Sequence, residues 1–315
     1  MNLDNVYELR DKVRLPASPF GFDLSAPLLD VSVGIAFGTK PNDYQLAVRL
    51  RGVGPLYFAF ALRVKGMAHG EVDILNTGPV RIIGATQNAG AANTMPLGIG
   101  ASIGHIEGGG GTAGFFAKER VGGRVGVVSA NHVIGLQDLA VPGSTIVTPS
   151  TLDGGSTPVA QLAKLSKIQD GGLKKVDCAF AVLDSGVSPN RSSLGSSGTL
   201  QKELAAPKDL MNVFKIGRTT GPTAGRIRAF DFDKLVVHSY RDIDVPFENQ
   251  IEIESSTDKP FSGHGDSGSL VFNEARHPVG LLFADTSIGG AKNLGLHYAN
   301  RIDDVCNTLG VDVAV

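Results

Sequence analysis

A chain of 315 residues, 42% apolar and 19% charged, describes a soluble globular protein with ample core and room for two or three packed units. Its formal charge of −2, with no basic stripe carrying interleaved aromatics, gives no general pull toward nucleic acid or an anionic membrane. No run reaches the roughly 18 apolar residues of a membrane helix, and only Cys178 and Cys306 occur, so a reduced, cytoplasmic setting without disulfide staples is expected.

The first residues, Met1 to Lys12, have neither a basic n-region nor an apolar h-region, so no secretory signal is expected. Leu3, Val6, Leu9 and Val13 fall on one side of a short helix, which predicts a docking arm within residues 1–24. After the stretch from Pro16 to Pro27, residues 31–38 and 44–52 read as strands, and in the second Leu46, Val48 and Leu50 alternate with smaller or polar residues. Residues 56–64 are apolar except for Arg63 and are followed by Lys65-Gly66, a pattern that fits either a helix ending at glycine or a buried strand. Residues 71–75 read as another strand, so 25–88 is expected to form a small α/β unit.

Residues 84–100, rich in Gly, Ala, Asn and Thr, carry no periodicity and predict a linker. Gly108 to Gly111 lacks the Gly-Lys-Ser/Thr ending of a phosphate cradle and is expected to be a hairpin loop. Short strands punctuated by glycine follow at 112–118, 124–129, 146–148, 160–165 and 176–183. The Ser/Gly-rich segment 184–207 reads as a crossing to a second set of strands at 212–216, 225–231, 234–239, 250–254, 269–272, 279–284 and 295–298. Ile302, Val305, Cys306 and Leu309, stopped by Gly310, predict a C-terminal helix with one apolar face.

The chemistry gathers at Gly263-His264-Gly265-Asp266-Ser267-Gly268-Ser269, a glycine-rich elbow followed at once by the apolar Leu270-Val271-Phe272. Its glycines let the backbone turn sharply and bring N–H groups to one point. A serine hydroxyl is a poor nucleophile alone and needs a base, a group that orients the base, and donors for an oxyanion. The N–H groups of Gly265 and Ser267 are candidates for those donors. Seven histidines occur, and of these only His132 ends a strand-like run, Gly126 to Asn131, whose small residues allow a tight turn. Asp177 heads the apolar run Cys178 to Leu183; buried there, it needs a partner, and a histidine N–H would satisfy it. Alternation sends Cys178 to the opposite face, as a buried structural thiol. An α/β-hydrolase elbow would read Gly-x-Ser-x-Gly, whereas position 269 is serine, so that esterase reading fails. No Cys/His metal spacing, dinucleotide fingerprint or other cofactor motif is present, and no cofactor is expected.

Ser-Ala-Asn-His-Val at 129–133, Val-Asp-Cys-Ala-Phe-Ala at 176–181 and Gly-Asp-Ser-Gly-Ser at 265–269, in the order His, Asp, Ser, resemble the trypsin-like (chymotrypsin-fold) serine proteases. Ser102-Ile-Gly-His105 and the hairpin Gly217-Arg-Thr-Thr-Gly221 resemble a bacterial branch of that family, one with a small N-terminal α/β domain. The likeness covers roughly 97–310. It implies a mainly β fold in which 89–315 forms two six-stranded antiparallel barrels, at about 97–190 and 205–300, followed by a helix at 300–310. It also implies a peptide-cleaving triad of His132, Asp177 and Ser267, working through an acyl-enzyme in the cleft between the barrels.

In the resembled family the first specificity pocket is set by the residue six before the serine, here Phe261, by the strand Phe283-Ala284-Asp285, and by a wall near Gly295. Phe261 favours an apolar or small side chain, whereas Asp285 at the rim favours a basic one, so the preference stays open. His264 reads as an exposed loop residue beside the oxyanion glycine. Many members activate when a clipped N-terminus pairs with the acid before the serine, here Asp266. No basic residue followed by Ile-Val-Gly-Gly precedes the first barrel, so Asp266 is expected to find a partner within its own domain. A protease lacking a pro-segment endangers its host, so restraint by a partner protein, a ligand or narrow preference is expected. The protein substrate is then either a dedicated, co-encoded partner in a bacterial stress or defence module, or the object of slow housekeeping cleavage. The alternative is a non-catalytic protease-fold module kept for binding or regulation.

Overall fold

The computed structural model describes every residue except 15–29, 39, 41, 85–96, 209, 210 and 242, together with all but the side chain of residue 239. The predicted Pro16–Pro27 stretch and most of the 84–100 linker lie outside the described residues, as do the boundaries near 24 and 88.

Helix α1 (Leu3–Arg14) buries Val6 and Val13 against strands β1 (Val31–Phe37) and β2 (Tyr44–Leu50), which gives the docking arm its seat. The ambiguous run becomes helix α2 (Pro55–Met67). Pro55 stands in its first turn, where a missing N–H costs nothing, and Phe60 and Val64, one turn apart, are its buried residues. Gly66 does not end it; the helix stops where His69 and Gly70 take positive φ. Strand β3 (Val72–Asn76) returns parallel to β2 with Leu46 beside Val72, and α2 supplies the crossover that a parallel pair requires.

This unit does not keep a sheet of its own. Strand β1 pairs antiparallel with the distant β13 (Gly221–Phe232), Ile35 opposite Phe230, so β1 to β3 extend the sheet of the second barrel. Arg49 on β2 fixes the junction. Fully buried, it makes a two-pronged bond to Glu252 at 2.7 and 2.6 Å and a third bond to Asp73 at 2.8 Å, and the Tyr298 hydroxyl donates to the same Glu252. A short strand β4 (Val80–Ile82) follows, between β14 (Leu235–Tyr240) in parallel pairing and β18 (Pro278–Asp285) in antiparallel pairing.

The first barrel sheet is built from β5 (Ser102–His105), β6 (Gly108–Thr112), β7 (Phe115–Glu119), β8 (Val125–Ser129), β9 (Thr145–Thr148), β10 (Thr157–Leu165) and β11 (Ala179–Leu183). The one-turn helix α3 (Asn131–Ile134) follows β8. The glycine run is therefore a strand rather than the expected loop. A side chain at Gly111 would come within 2.8 Å of the Ser267 carbonyl and 2.6 Å of Val133, so only glycine lets β6 pass between the barrels. The sheet holds eight strands, two more than expected, because β6 joins it and because β20 (Val311–Val313) adds to β7. Helix α4 (Ile302–Leu309) sends Ile302, Val305, Cys306 and Leu309 into the core of this barrel and ends at Gly310, which takes positive φ as read from the sequence. Cys178 and Cys306 are both buried free thiols in that core.

The second barrel is a closed ring of six strands. In order around it run β12 (Asn212–Gly217), β13, β16 (Gln250–Ser255), β19 (Leu296–Arg301), β18 and β17 (Leu270–Asn273), with β17 pairing back to β12. The strand expected at 234–239 appears as β14 but stands outside the ring, paired with β15 (Ile243–Phe247) and β4. Among the described residues no helix is long and apolar enough to cross a membrane.

Candidate active site

His132 lies on α3, at the turn that ends β8, and its backbone N–H donates to Asp177 Oδ1 at 3.1 Å. Asp177 sits two residues before the ladder of β11 begins, so its carboxylate is free of that ladder and faces α3. His132 Nδ1 lies 2.5 Å from Asp177 Oδ2, and the Tyr240 hydroxyl donates to the same oxygen at 2.5 Å. Burial pushes the Asp177 carboxyl up, but His132 and Tyr240 outweigh that and hold it below the usual carboxylate range. An ionised Asp177 can only accept, so Nδ1 carries a proton, and in the neutral ring Nε2 is then the nitrogen with the lone pair. That Nε2 is buried and has no hydrogen-bond partner among the described residues. The backbone of Asp177 is itself held, its N–H donating to Asn300 Oδ1 at 2.9 Å.

Ser267 lies on the elbow between Gly265 and Gly268, whose φ values are 99° and 86°. Glycine is required at both. A Cβ on Gly268 would stand 2.2 Å from Ser129 Oγ, and one on Gly265 would stand 2.2 Å from Arg218 Nη1. Asp266 between them is fully buried and anchors the elbow to the 217–221 hairpin. It accepts from Lys215 Nζ at 3.0 Å, Thr219 N at 2.9 Å, Thr220 N at 3.2 Å and Thr220 Oγ1 at 2.6 Å. Lys215 is thus the internal partner in place of a clipped N-terminus. Burial lowers its ammonium pKa, against the pull of Asp266. Thr112 Oγ1 accepts from Arg218 N and donates to the Gly265 carbonyl, which ties the elbow to β6 and to the 217–221 hairpin.

The structure brings His132 and Asp177 together directly, but the Ser267 hydroxyl does not bond Nε2. It donates instead to the carbonyl of Ile83 at 2.9 Å, and the Gly265 N–H reaches the same oxygen at 3.5 Å. Ile83 follows β4, so the acceptor comes from the chain's own N-terminal segment.

Of the residues expected to shape the pocket, Phe261 is fully buried beside His297, ring centroids 5.7 Å apart. The Phe261 N–H can only donate, so His297 Nε2 accepts it and Nδ1 donates to Ser262 Oγ at 2.7 Å. Burial and the nearby Lys215 drive the His297 pKa down to about 3, leaving the ring neutral. The Phe283 carbonyl accepts from the Ile83 N–H at 3.1 Å. Asp285 sits at the rim, where burial pushes its carboxyl up to about 7 with the Asp266 carboxylate adding to the rise. Gly295 turns the chain into β19, while its neighbours Leu294 and Thr286 line the cavity beside β4. His264 is exposed but not idle: its Nδ1 donates to the Gly84 carbonyl at 3.0 Å. Among the described residues no cluster of His, Cys, Asp or Glu could hold a metal ion.

No family model matches the chain, and no curated protein matches it. Among solved structures the chain is similar to a glutamic acid-specific serine protease described as using a histidine triad in substrate binding. The two are 20% identical over 69% of this chain and 100% of the other, with a TM-score of 0.52. A Nocardiopsis protease (NAPase) is 18% identical over 70% of this chain and 100% of its own, with a TM-score of 0.45. Thermobifida fusca protease A is 14% identical over the same shares, with a TM-score of 0.47. With the closed six-stranded ring beside a second β sheet, the likeness to the first of these gives the chain a chymotrypsin-type serine protease fold.

Proposed function

We propose that this protein is a serine endopeptidase. The observation that carries the reading is the bonded pair of His132 and Asp177, whose Nε2 makes no hydrogen bond, on a turn that meets the Ser267 elbow around Gly111, together with a serine that already touches a peptide carbonyl. Ser267 Oγ attacks the substrate carbonyl as its hydroxyl turns from Ile83 to His132 Nε2, which takes the proton. Asp177 holds the tautomer and stabilises the imidazolium, and the N–H groups of Gly265 and Ser267 meet the oxyanion. An acyl-enzyme forms, and water resolves it. Phe261 at the pocket favours an apolar side chain before the scissile bond. The substrate we favour is a dedicated partner protein in a bacterial stress or defence module; indiscriminate digestion of a cell lysate by the purified enzyme would contradict that narrower reading.

The unmade Ser267–His132 bond and the bond from Ser267 to the chain's own Ile83 carbonyl favour a second reading, a protease fold kept for binding. Peptide cleavage kinetics separate the two. Ser267→Ala and His132→Ala are expected to lower kcat by about 10⁴-fold or more while the thermal melt is retained, because the residues act as a unit. Unchanged cleavage by Ser267→Ala would refute the enzyme reading.

A further inference from the structure

The segment that ends at Gly84 lies across the catalytic serine in the manner of a substrate. Strand β4 is extended and antiparallel to β18, with Arg81 opposite Asp285 and Ile82 opposite Ala284. The ladder is continued by the Ile83 N–H, which donates to the Phe283 carbonyl at 3.1 Å. Main-chain pairing of an extended peptide to a sheet edge is a general way of holding a ligand while side chains enter pockets. Here the Ile83 side chain is fully buried in the same apolar cluster as Val213, Ile227, Phe261 and Leu282. Its carbonyl oxygen is within 2.9 Å of Ser267 Oγ and 3.5 Å of the Gly265 N–H, and beyond it His264 holds the next carbonyl, that of Gly84. Backbone, side chain, nucleophile and oxyanion donor all therefore single out one peptide bond.

We infer that residues 80–84 are the enzyme's own first substrate and that Ser267 cuts the Ile83–Gly84 bond in cis, an inference that rests on the protease reading above. Oγ bonds to the Ile83 carbonyl carbon while its proton passes to His132 Nε2. The carbon–nitrogen bond to Gly84 then breaks, and that nitrogen takes the proton as the amine leaves. Water adds to the Ile83 ester, its proton passing through His132 back to Oγ, and the products are a chain ending at the Ile83 carboxylate and a chain beginning at Gly84. The site is filled by its own strand until that cut, which restrains the enzyme without a separate inhibitor. The pocket that accepts Ile83 also assigns an aliphatic residue to the position before the scissile bond, which deepens the apolar preference set by Phe261.

The test uses the full chain, purified and incubated at two concentrations tenfold apart, with products read by intact mass and N-terminal sequencing. The wild type is expected to yield fragments 1–83 and 84–315 with the same half-time at both concentrations, as an intramolecular reaction requires. Ser267→Ala is expected to stay intact. Ile83→Val should be cut within about threefold of the wild-type rate, and Ile83→Asp, which puts a carboxylate into an apolar pocket, should be slowed by about 100-fold or more. Val at 83 keeps the fold, so it guards against a trivial loss of structure. A wild type that cleaves a peptide library or reacts with a fluorophosphonate yet stays joined between 83 and 84 overturns the inference and leaves the protease reading standing. Cutting at 83–84 that persists in Ser267→Ala, or whose half-time scales with concentration, overturns it as well. A wild type that neither cuts nor reacts overturns both.

Discussion

Three donations converge on the Asp177 carboxylate, from His132 N, His132 Nδ1 and Tyr240 Oη, and their convergence sets the tautomer that leaves Nε2 open. The pairing of His132 with Asp177 and the glycine elbow that holds Ser267 were legible in the sequence because each sits in a local signature: a small-residue turn, an acid before an apolar strand, a glycine-flanked serine. Tyr240, Asn300 and Ile83 were not, because they lie 63, 123 and 184 residues from the groups they bond and carry no local mark. The Lys215 partner of Asp266 was expected only as some group of the same domain. His297 carries a pH prediction. Its pKa is lowered to about 3 in the folded chain against about 6.5 when unfolded, so between those values the unfolded chain binds the extra proton and stability falls as pH drops. Urea midpoints measured from pH 7 to 4 should fall less steeply in His297→Gln than in the wild type; equal slopes would remove His297 from the account.

At the scale of elements, the long strands and the C-terminal helix were readable from their periodicity, and the errors have physical causes. The apolar run at 56–64 carried no deciding period, and the crossover between parallel β2 and β3 settles it as a helix. The glycine run at 108–111 looked like a loop because a strand is normally marked by the side chains it lacks here. Strand β4 was not read as a strand at all, since three residues are too few to show alternation. The buried Arg49 is where a single side chain binds β2 to β16. Arg49→Ala should cost roughly 3–5 kcal/mol in urea unfolding, because Glu252 would be left buried and uncompensated, whereas Arg49→Met with Glu252→Met should recover most of the loss. An Arg49→Ala chain as stable as the wild type would mean that Glu252 finds another partner.

On the scale of the whole molecule, the mainly β, two-barrel architecture followed from the three motifs in order and from short strands punctuated by glycine. The sharing of one sheet between the N-terminal strands and the second barrel did not follow, because a pairing such as Ile35 with Phe230 is set by tertiary register rather than by local pattern. Strand β4, paired with β14 and β18, brings the Ile83 carbonyl to the Ser267 hydroxyl. The central claim is that the hydroxyl at 267 is the activated nucleophile, and the most direct measurement is reaction with a fluorophosphonate, mapped by peptide mass spectrometry. The account predicts one adduct, on Ser267, lost in Ser267→Ala and nearly abolished in His132→Ala; an adduct elsewhere, or undiminished labelling of Ser267 without His132, would contradict it.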